Sequence, residues 1–286
     1  MKKSSMFKRV YFVLLFSFLY LPIAVMIAYS FNANKSRGAF TGFTLNWYVQ
    51  LFKNQEVLSA LGLSLILALV SAVVATLLGT MASIGINRMK KGPRSLVMNI
   101  TYVPIVNPEI VTGISLMLLF VVVKAGLAAL GGADGGFFGW LSTRIIGLPS
   151  LLIAHITFNV SYVIFNVVPK LRQMDIRLYE AALDLGCNER QAFFKVVLPE
   201  IMPAIISSFL ISLTYSIDDF TISYFTAGTR QTLPIAIYSM ARRNVSPQIN
   251  ALSTILFLVI LSIVIGMNIF ESRSARQKRR GKSGKG

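Results

Sequence analysis

Three acidic side chains lie inside long apolar stretches of this 286-residue sequence: Glu109, Asp218 and Asp219. A carboxylate at the centre of a membrane-spanning helix costs ~2.5–3.5 kcal/mol on insertion scales, so each of the three needs a reason. Acids that line a polar passage favour a cationic solute, and the aromatic pair Trp47-Tyr48, in the first predicted outer loop, can receive an ammonium group by cation–π contact. These residue types together predict a path for cations.

Each of these residues also has a purely structural interpretation. Glu109 follows Asn107 and Pro108, a pattern in which Asn107 caps a helix, Pro108 begins it and Glu109 is a first-turn acid that stabilises the helix dipole. One of the paired acids can be a helix-to-helix contact while the other lines a path. The aromatic pair is equally typical of anchors at a membrane interface.

The elements that position these residues are membrane-spanning helices, because a helix needs about 20 mostly apolar residues to cross a bilayer. Backbone groups in lipid must be satisfied internally, which favours helices for spans of this length. The predicted fold class is an all-α membrane protein with six spans: Val10–Ser30, Leu58–Ile86, Leu96–Val123, Leu148–Val168, Met202–Thr226 and Ala251–Phe270. Pro104 and Pro108 should break or kink the third span near Glu109.

The composition excludes several other classes of protein. Hydrophobic residues make up 55% of the chain and charged residues only 14%, and the mean hydropathy is +0.66. Soluble domains carry roughly 25% charged residues, so this composition excludes an ordinary cytosolic protein and a disordered chain. The single cysteine, Cys187, excludes an internal disulfide, and the single histidine, His155, excludes a zinc site of the HExxH type.

The net charge of +17 is best explained by membrane topology. Alternate connecting segments hold 20 of the 28 Lys and Arg residues, which places those segments and both termini in the cytoplasm. The first span is expected to be uncleaved, since no signal-peptide cleavage pattern follows it. We therefore expect no nucleic-acid partner, and we expect the basic tail, residues 271–286, to contact anionic membrane lipid.

The longest predicted cytoplasmic loop, between the fourth and fifth spans, has the pattern of two short helices. The first contains Tyr179–Leu185 and ends at Gly186, which suits a left-handed C-cap. Asn188 and Gln191 form a capping-box pattern for the second helix. That helix runs towards Leu198 and is expected to be interrupted at Pro199.

The spacing in this loop resembles the EAA loop of ABC-transporter permeases. The resemblance rests on Glu180-Ala181-Ala182, then Gly186, then Leu198-Pro199. It implies the six-helix permease fold of type I ABC importers (MetI-like), with this loop as a helix that docks in a separate ATPase subunit. The chain has no ATPase motif, so the resemblance implies a non-catalytic subunit without a cofactor of its own, with ATP and Mg bound by the partner ATPase.

Further motifs resemble the C-type permease subunits of spermidine/putrescine ABC importers. They include Thr41-Gly42-Phe43-Thr44-x-x-Trp47-Tyr48, Asn107-Pro108-Glu109, His155-Ile156-Thr157-Phe158 and Tyr215-Ser216-Ile217-Asp218-Asp219. The resemblance implies a substrate path that includes the residues Trp47, Tyr48, Glu109, Tyr215, Asp218 and Asp219. It also implies a bacterial inner-membrane location and several partners: a second homologous permease, two ATPase subunits and an extracytoplasmic polyamine-binding protein.

Two other classes of function remain open at this point. One is an ABC permease for another solute, although intramembrane acids argue against an anion. The other is a stand-alone channel or secondary transporter. The predicted domain organisation is a single transmembrane permease domain over 1–286, with a permease core at about 58–270.

Overall fold

The computed structural model describes residues 2–34, 39–131, 136–243, 247–262 and 265–266, and over these residues it is helical apart from one β-bridge between Asn32 and Phe43. The predicted all-α fold class is confirmed. The helices are α1 (Lys2–Ser30), α2 (Asn46–Lys53), α3 (Gln55–Arg88), α4 (Lys91–Val106), α5 (Glu109–Gly131), α6 (Phe137–Arg144), α7 (Leu148–Gln173), α8 (Ile176–Asp184), α9 (Glu189–Ala192), α10 (Leu198–Asp218), α11 (Thr221–Thr226), α12 (Leu233–Arg243) and α13 (Pro247–Ser262).

Five helical segments of the described residues are long and apolar enough to cross a membrane. They are Met6–Ser30, Gln55–Arg88, Glu109–Gly131, Leu148–Gln173 and Glu189–Asp218. The described part of the predicted sixth span is α13, which is shorter, and residues 263–264 and 267–270 of that span lie outside the described residues. The basic tail, 271–286, and residues 132–135 also lie outside them.

Two predicted spans are interrupted in the structure. The third span is two helices, α4 and α5, separated at Asn107 and Pro108, as the two prolines predict. The fifth span was predicted to run to Thr226, and this is wrong, because α10 ends at Asp218 and the short α11 follows. Neither glycine nor proline occurs between Asp218 and Thr226, so hydropathy and helix propensity gave no signal for this second break.

The chain forms two compact units, 1–58 with 237–286, and 59–236. In the first unit, the buried Asn32 organises the loop after α1. Its amide accepts from the backbone N–H of Thr41 at 3.0 Å and donates to the carbonyl of Ala39 at 2.9 Å. The rings of Phe31 and Phe43 stack beside it with centroids 5.3 Å apart. A single domain over the whole chain stays a prediction.

The second unit is built around α7, the most buried of the long helices. The C-terminal half of α7 packs against the start of α10 in a core cluster of Val163, Val167, Leu171, Val197 and Ile201. Its other half contributes to a second cluster of Ala154, Phe158, Phe120 and Ile222. An ion pair between Lys170 Nζ and Glu200 Oε1 at 3.4 Å joins α7 to α10 at the surface.

Gly79 allows α3 and α7 to approach closely. A Cβ at Gly79 would lie 2.6 Å from Cβ of Val163 and 3.3 Å from the carbonyl oxygen of Val160, whereas a Cβ at Gly85 of the same helix would meet nothing within 4 Å. We predict that Gly79→Ala lowers the free energy of unfolding by about 1–3 kcal/mol, because the added methyl overpacks a buried helix contact. Thermal unfolding of the detergent-solubilised protein measures this, with Gly85→Ala as the matched control, which we expect to be neutral or stabilising. Equal melting temperatures for the two variants would contradict the close approach.

Candidate functional site

The first helix interruption places Glu109 at the beginning of α5. Pro108 has no N–H to donate back into α4, and Asn107 has an extended backbone with φ −71° and ψ 139°. The carbonyl of Pro108 accepts from the N–H groups of Val111 at 2.9 Å and Thr112 at 3.2 Å, which starts the new helix. The Glu109 side chain is exposed in the first turn, where a negative charge is favoured by the helix dipole.

The second interruption separates the two adjacent aspartates. Asp218 is the last residue of α10, and Asp219 has an extended backbone with ψ 113°. The Asp219 carboxylate accepts from the N–H of Ile222 at 3.2 Å and from the N–H of Ser223 at 2.7 Å. It therefore caps α11 and satisfies backbone donors that have no partner within that helix.

The two interruptions meet at one cavity of about 230 Å³ inside the second unit. Helices α4, α5, α7, α10 and α11 and the connection between the last two contribute acidic, aromatic, hydroxyl and apolar side chains to its lining: Pro104, Glu109, Thr112, Phe158, Tyr162, Tyr215, Asp218, Asp219, Phe220, Thr221 and Ile222. The rings of Tyr162 and Tyr215 lie 4.6 Å apart between centroids. Carboxylates beside aromatic faces are the groups that replace the hydration of an ammonium ion.

The structure brings four of the six predicted path residues to this cavity: Glu109, Tyr215, Asp218 and Asp219. The two aspartates differ in environment. Asp218 is exposed, whereas the Asp219 carboxylate is 6% exposed and is bonded to α11. This arrangement matches the interpretation in which one acid is a structural contact and its neighbour lines the path.

Trp47 and Tyr48 belong to the other unit, where they pack against the loop after α1. Trp47 is 5% exposed and its indole Nε1 donates to the carbonyl of Asn32 at 2.7 Å. The half-buried Tyr48 has its hydroxyl 2.7 Å from Oγ of Ser30. These contacts show that the pair packs α2 against the loop after α1, and a contact of either ring with substrate stays a prediction.

Sequence reasoning overlooked Tyr162 as a residue of the cavity. The available signal was spacing: His155, Asn159 and Tyr162 follow one another at four and three residues, so they share one face of α7. Polar groups on one face of an apolar helix point towards protein or a polar cavity rather than lipid.

A second candidate site is the segment between α7 and α10. Helix α8 begins after Asp175 and ends in a Schellman motif, in which the N–H of Gly186 donates to the carbonyl of Leu183 and that of Cys187 donates to the carbonyl of Ala182. Gly186 has φ +86°, as predicted for a left-handed cap. The predicted capping box is also confirmed, since Asn188 and Gln191 exchange hydrogen bonds of 2.8 and 3.2 Å.

The predicted interruption at Pro199 is wrong. The chain instead forms a π-helical turn, Phe193–Val197, and continues directly into α10 at Leu198. The Leu198 N–H donates to the carbonyl of Phe193, five residues earlier. The wider turn accommodates Pro199, which lacks an N–H and whose ring would clash with the carbonyl of Lys195 in a regular α-helix.

Helix α8 exposes an apolar stripe beside its packed face. Tyr179 and Ala182 pack inward, Tyr179 against the Val163–Ile201 cluster. Leu178, Ala181 and Leu185 lie at intervals of three and four residues and are all exposed, Leu178 at 52% and Leu185 at 86%. Of the predicted coupling residues, Glu180, Ala181, Gly186 and Pro199 are exposed, Leu198 is half-buried and Ala182 is buried.

Comparison with known proteins places this architecture in context. Residues 75–277 match the family model for the inner membrane component of binding-protein-dependent transport systems. The putrescine transport system permease protein PotI of Escherichia coli K12 is 37% identical over 255 residues, covering 88% of this chain and 86% of that protein. The spermidine/putrescine transport system permease protein PotC of the same strain is 35% identical over 271 residues, covering 94% of each.

Solved structures share the fold at lower identity. A chain of a bacterial alginate ABC transporter, solved in complex with an alginate pentasaccharide-bound periplasmic protein, has a TM-score of 0.69 at 20% identity and covers 95% of both chains. A chain of a bacterial ABC transporter involved in the import of the acidic polysaccharide alginate gives a TM-score of 0.68 at 20% identity. The match covers 95% of this chain and 96% of the other. The family model matches 203 of the 286 residues, and PotI and PotC are 35–37% identical over most of the chain. This chain therefore belongs to the family of binding-protein-dependent transport system inner membrane components.

Proposed function

We propose that this chain is a permease subunit of an ATP-driven importer for the polyamines putrescine and spermidine. The observation that carries the proposal is the cavity in which Glu109 and Asp218 face Tyr162 and Tyr215. A polyamine has ammonium groups separated by methylene chains, so spaced carboxylates and aromatic rings suit both its charge and its apolar segments. The names of the relatives PotI and PotC support the same solute class.

The proposed assembly contains a second homologous permease, two ATPase subunits on the cytoplasmic side and an extracytoplasmic polyamine-binding protein. The substrate path then forms between two permeases in the inner membrane, with both termini of this chain cytoplasmic. This chain catalyses no chemical step and holds no cofactor, and the partner ATPase binds ATP and Mg. The periplasmic protein bound to the structurally similar alginate transporter supports the extracytoplasmic partner.

In the proposed mechanism, α8 couples ATP hydrolysis to transport by alternating access. Its exposed stripe of Leu178, Ala181 and Leu185 meets the ATPase, since exposed leucines of this kind typically mark a protein contact. The packed face of α8 and the uninterrupted helical segment Glu189–Asp218 then carry the movement towards the cavity. Trp47 and Tyr48 stay candidates for contacts nearer the outer surface.

We predict that Asp218→Asn raises the KM for putrescine uptake about 10- to 100-fold, because a hydrogen bond to a charged group contributes ~1.5–3 kcal/mol. Side-chain volume and α10 are retained, so the amount of assembled complex should be unchanged. The measurement is ATP-dependent uptake of labelled putrescine by proteoliposomes that contain the complete complex. Glu56→Gln is the matched control, because it removes one carboxylate that does not line the cavity. Wild-type KM for Asp218→Asn and for the double variant with Glu109→Gln would refute the polyamine path.

We predict that Leu185→Asp weakens association with the ATPase at least tenfold, because burial of a leucine contributes ~1.5–3 kcal/mol and the aspartate cannot replace it. The 86% exposed side chain contributes little to the fold of this chain, so its melting temperature should not change. Recovery of the ATPase with the affinity-purified permease measures the effect, and Leu185→Met is the conservative control. Undiminished recovery would show that the stripe is not the docking face.

Competition experiments separate this function from its two alternatives. We expect unlabelled spermidine to compete with labelled putrescine and an acidic oligosaccharide to have no effect. An importer of another solute predicts no competition by either polyamine. A stand-alone transporter predicts putrescine uptake by this chain alone in liposomes, whereas the proposal requires the ATPase and ATP.

A further inference from the structure

His155 lies at the centre of the contacts that hold the break between α10 and α11. The side chain is completely buried, and its Nε2 is 3.0 Å from Oγ of Ser223 and 3.5 Å from Oδ2 of Asp219. Asp219 in turn accepts from the backbone N–H of Ser223. His155 therefore contacts both Asp219 and Ser223, although it lies 68 positions before Ser223 in the sequence.

Of the two ring nitrogens of His155, only Nε2 has a hydrogen-bond partner among the described residues. Nδ1 is buried and has no such partner within the described part of the chain. A buried N–H donor without a partner is more costly than a bare lone pair, which assigns the proton of the neutral ring to Nε2. Nε2–H then donates to Ser223 Oγ, and that hydroxyl is left to donate its own proton.

Two further contacts of α7 support the segments on either side of the break. Asn159 Nδ2 donates to Oγ of Ser216 at 2.8 Å, before the break. Ser150 Oγ donates to the carbonyl of Thr226 at 2.7 Å, at the end of α11. Helix α7 thus holds the end of α10 and the whole of α11 in one arrangement.

These contacts matter because the local sequence contains no helix breaker. Without glycine or proline between Asp218 and Thr226, an uncapped α10 can continue as a helix through Asp219 and Phe220. Each additional helical residue rotates the chain that follows it by about 100°, so Phe220, Thr221 and Ile222 would leave their places in the cavity wall. The surroundings of the Asp218 carboxylate in the cavity therefore depend on the cap at Asp219.

We propose that His155 is a positioning residue for the transported solute: through Ser223 and Asp219 it keeps the α10–α11 break in place, so that the cavity stays open beside Asp218. The inference rests on the proposed function in one respect, the role of Asp218 in binding the polyamine. His155 itself is not among the residues that line the cavity.

The first test separates positioning from general stability by uptake kinetics. In proteoliposomes containing the complete complex, His155→Phe should raise the KM for putrescine about three- to tenfold, the effect of losing one hydrogen bond. His155→Gln should restore most of the wild-type KM, because its amide can donate near the position of Nε2. Thr157→Ala is the matched control, since Thr157 on the same helix bonds only the carbonyl of Ile153 within α7.

The second test reports the accessibility of residue 218 in the cavity without transport. Cys187 is the only cysteine, so Cys187→Ser with Asp218→Cys leaves one thiol in this chain. We expect a cationic methanethiosulfonate to label it in the assembled complex, putrescine to protect it, and His155→Phe to slow labelling about three- to tenfold. The labelled fraction is measured from the mass of this chain. If His155→Phe does not assemble, Ser223→Ala removes the same contact and takes its place.

The outcomes decide between distinct failures. A raised KM and slower labelling in His155→Phe, both reversed in His155→Gln, support the positioning role. An unchanged KM and labelling rate in His155→Phe, or in Ser223→Ala where His155→Phe does not assemble, would overturn it. If Asp218→Asn has the wild-type KM in the same assay, the proposed function fails instead, whatever the His155 variants do.

Discussion

Backbone hydrogen bonding at the two broken helices is the constraint on which the rest of this structure depends. Inside a membrane, an interrupted helix exposes N–H and carbonyl groups that water cannot satisfy, unless the break lies against protein or a polar cavity. The chain meets this demand with Pro108, which has no N–H, and with the Asp219 carboxylate, which accepts two N–H groups of α11. Both breaks border the same cavity, as in transporters that bind substrates between broken helices.

The same constraint explains how two adjacent aspartates have different roles. The Asp219 carboxylate accepts from the N–H of Ser223 and lies beside His155, so the protein itself occupies its oxygens. Asp218, one residue earlier, ends α10 and is exposed to the cavity. Adjacent residues at a helix end point in different directions, which lets one acid stabilise the break while the other stays available to a cation.

Features encoded within a few residues were predictable from the sequence. Hydropathy located the long helices, the prolines located the break before Glu109, and local capping patterns located Gly186, Asn188 and Gln191. The break at Asp219 was not predictable, because it depends on contacts with α7 that are distant in sequence. The prediction at Pro199 failed for a different reason: proline removes one hydrogen bond, but a π-helical turn can absorb that loss without ending the helix. Local patterns therefore identified both acids as candidates. Tertiary contacts determine that Asp219 caps α11 while Asp218 stays exposed.

The continuity of the chain between the exposed stripe of α8 and the cavity supports a mechanical link in the proposed mechanism. From Glu189 to Asp218 the helix has 30 residues, which corresponds to a length of about 45 Å at 1.5 Å per residue. The π-helical turn lies near the α8 end, and the α7 contacts hold the cavity end. A displacement of α8 is then transmitted along a stiff element, because a helix deforms less readily than a loop. If α10 were interrupted at Pro199, as its sequence suggests, the same displacement would be absorbed before it reached Asp218. The π-helical turn thus keeps the segment continuous where proline would otherwise divide it.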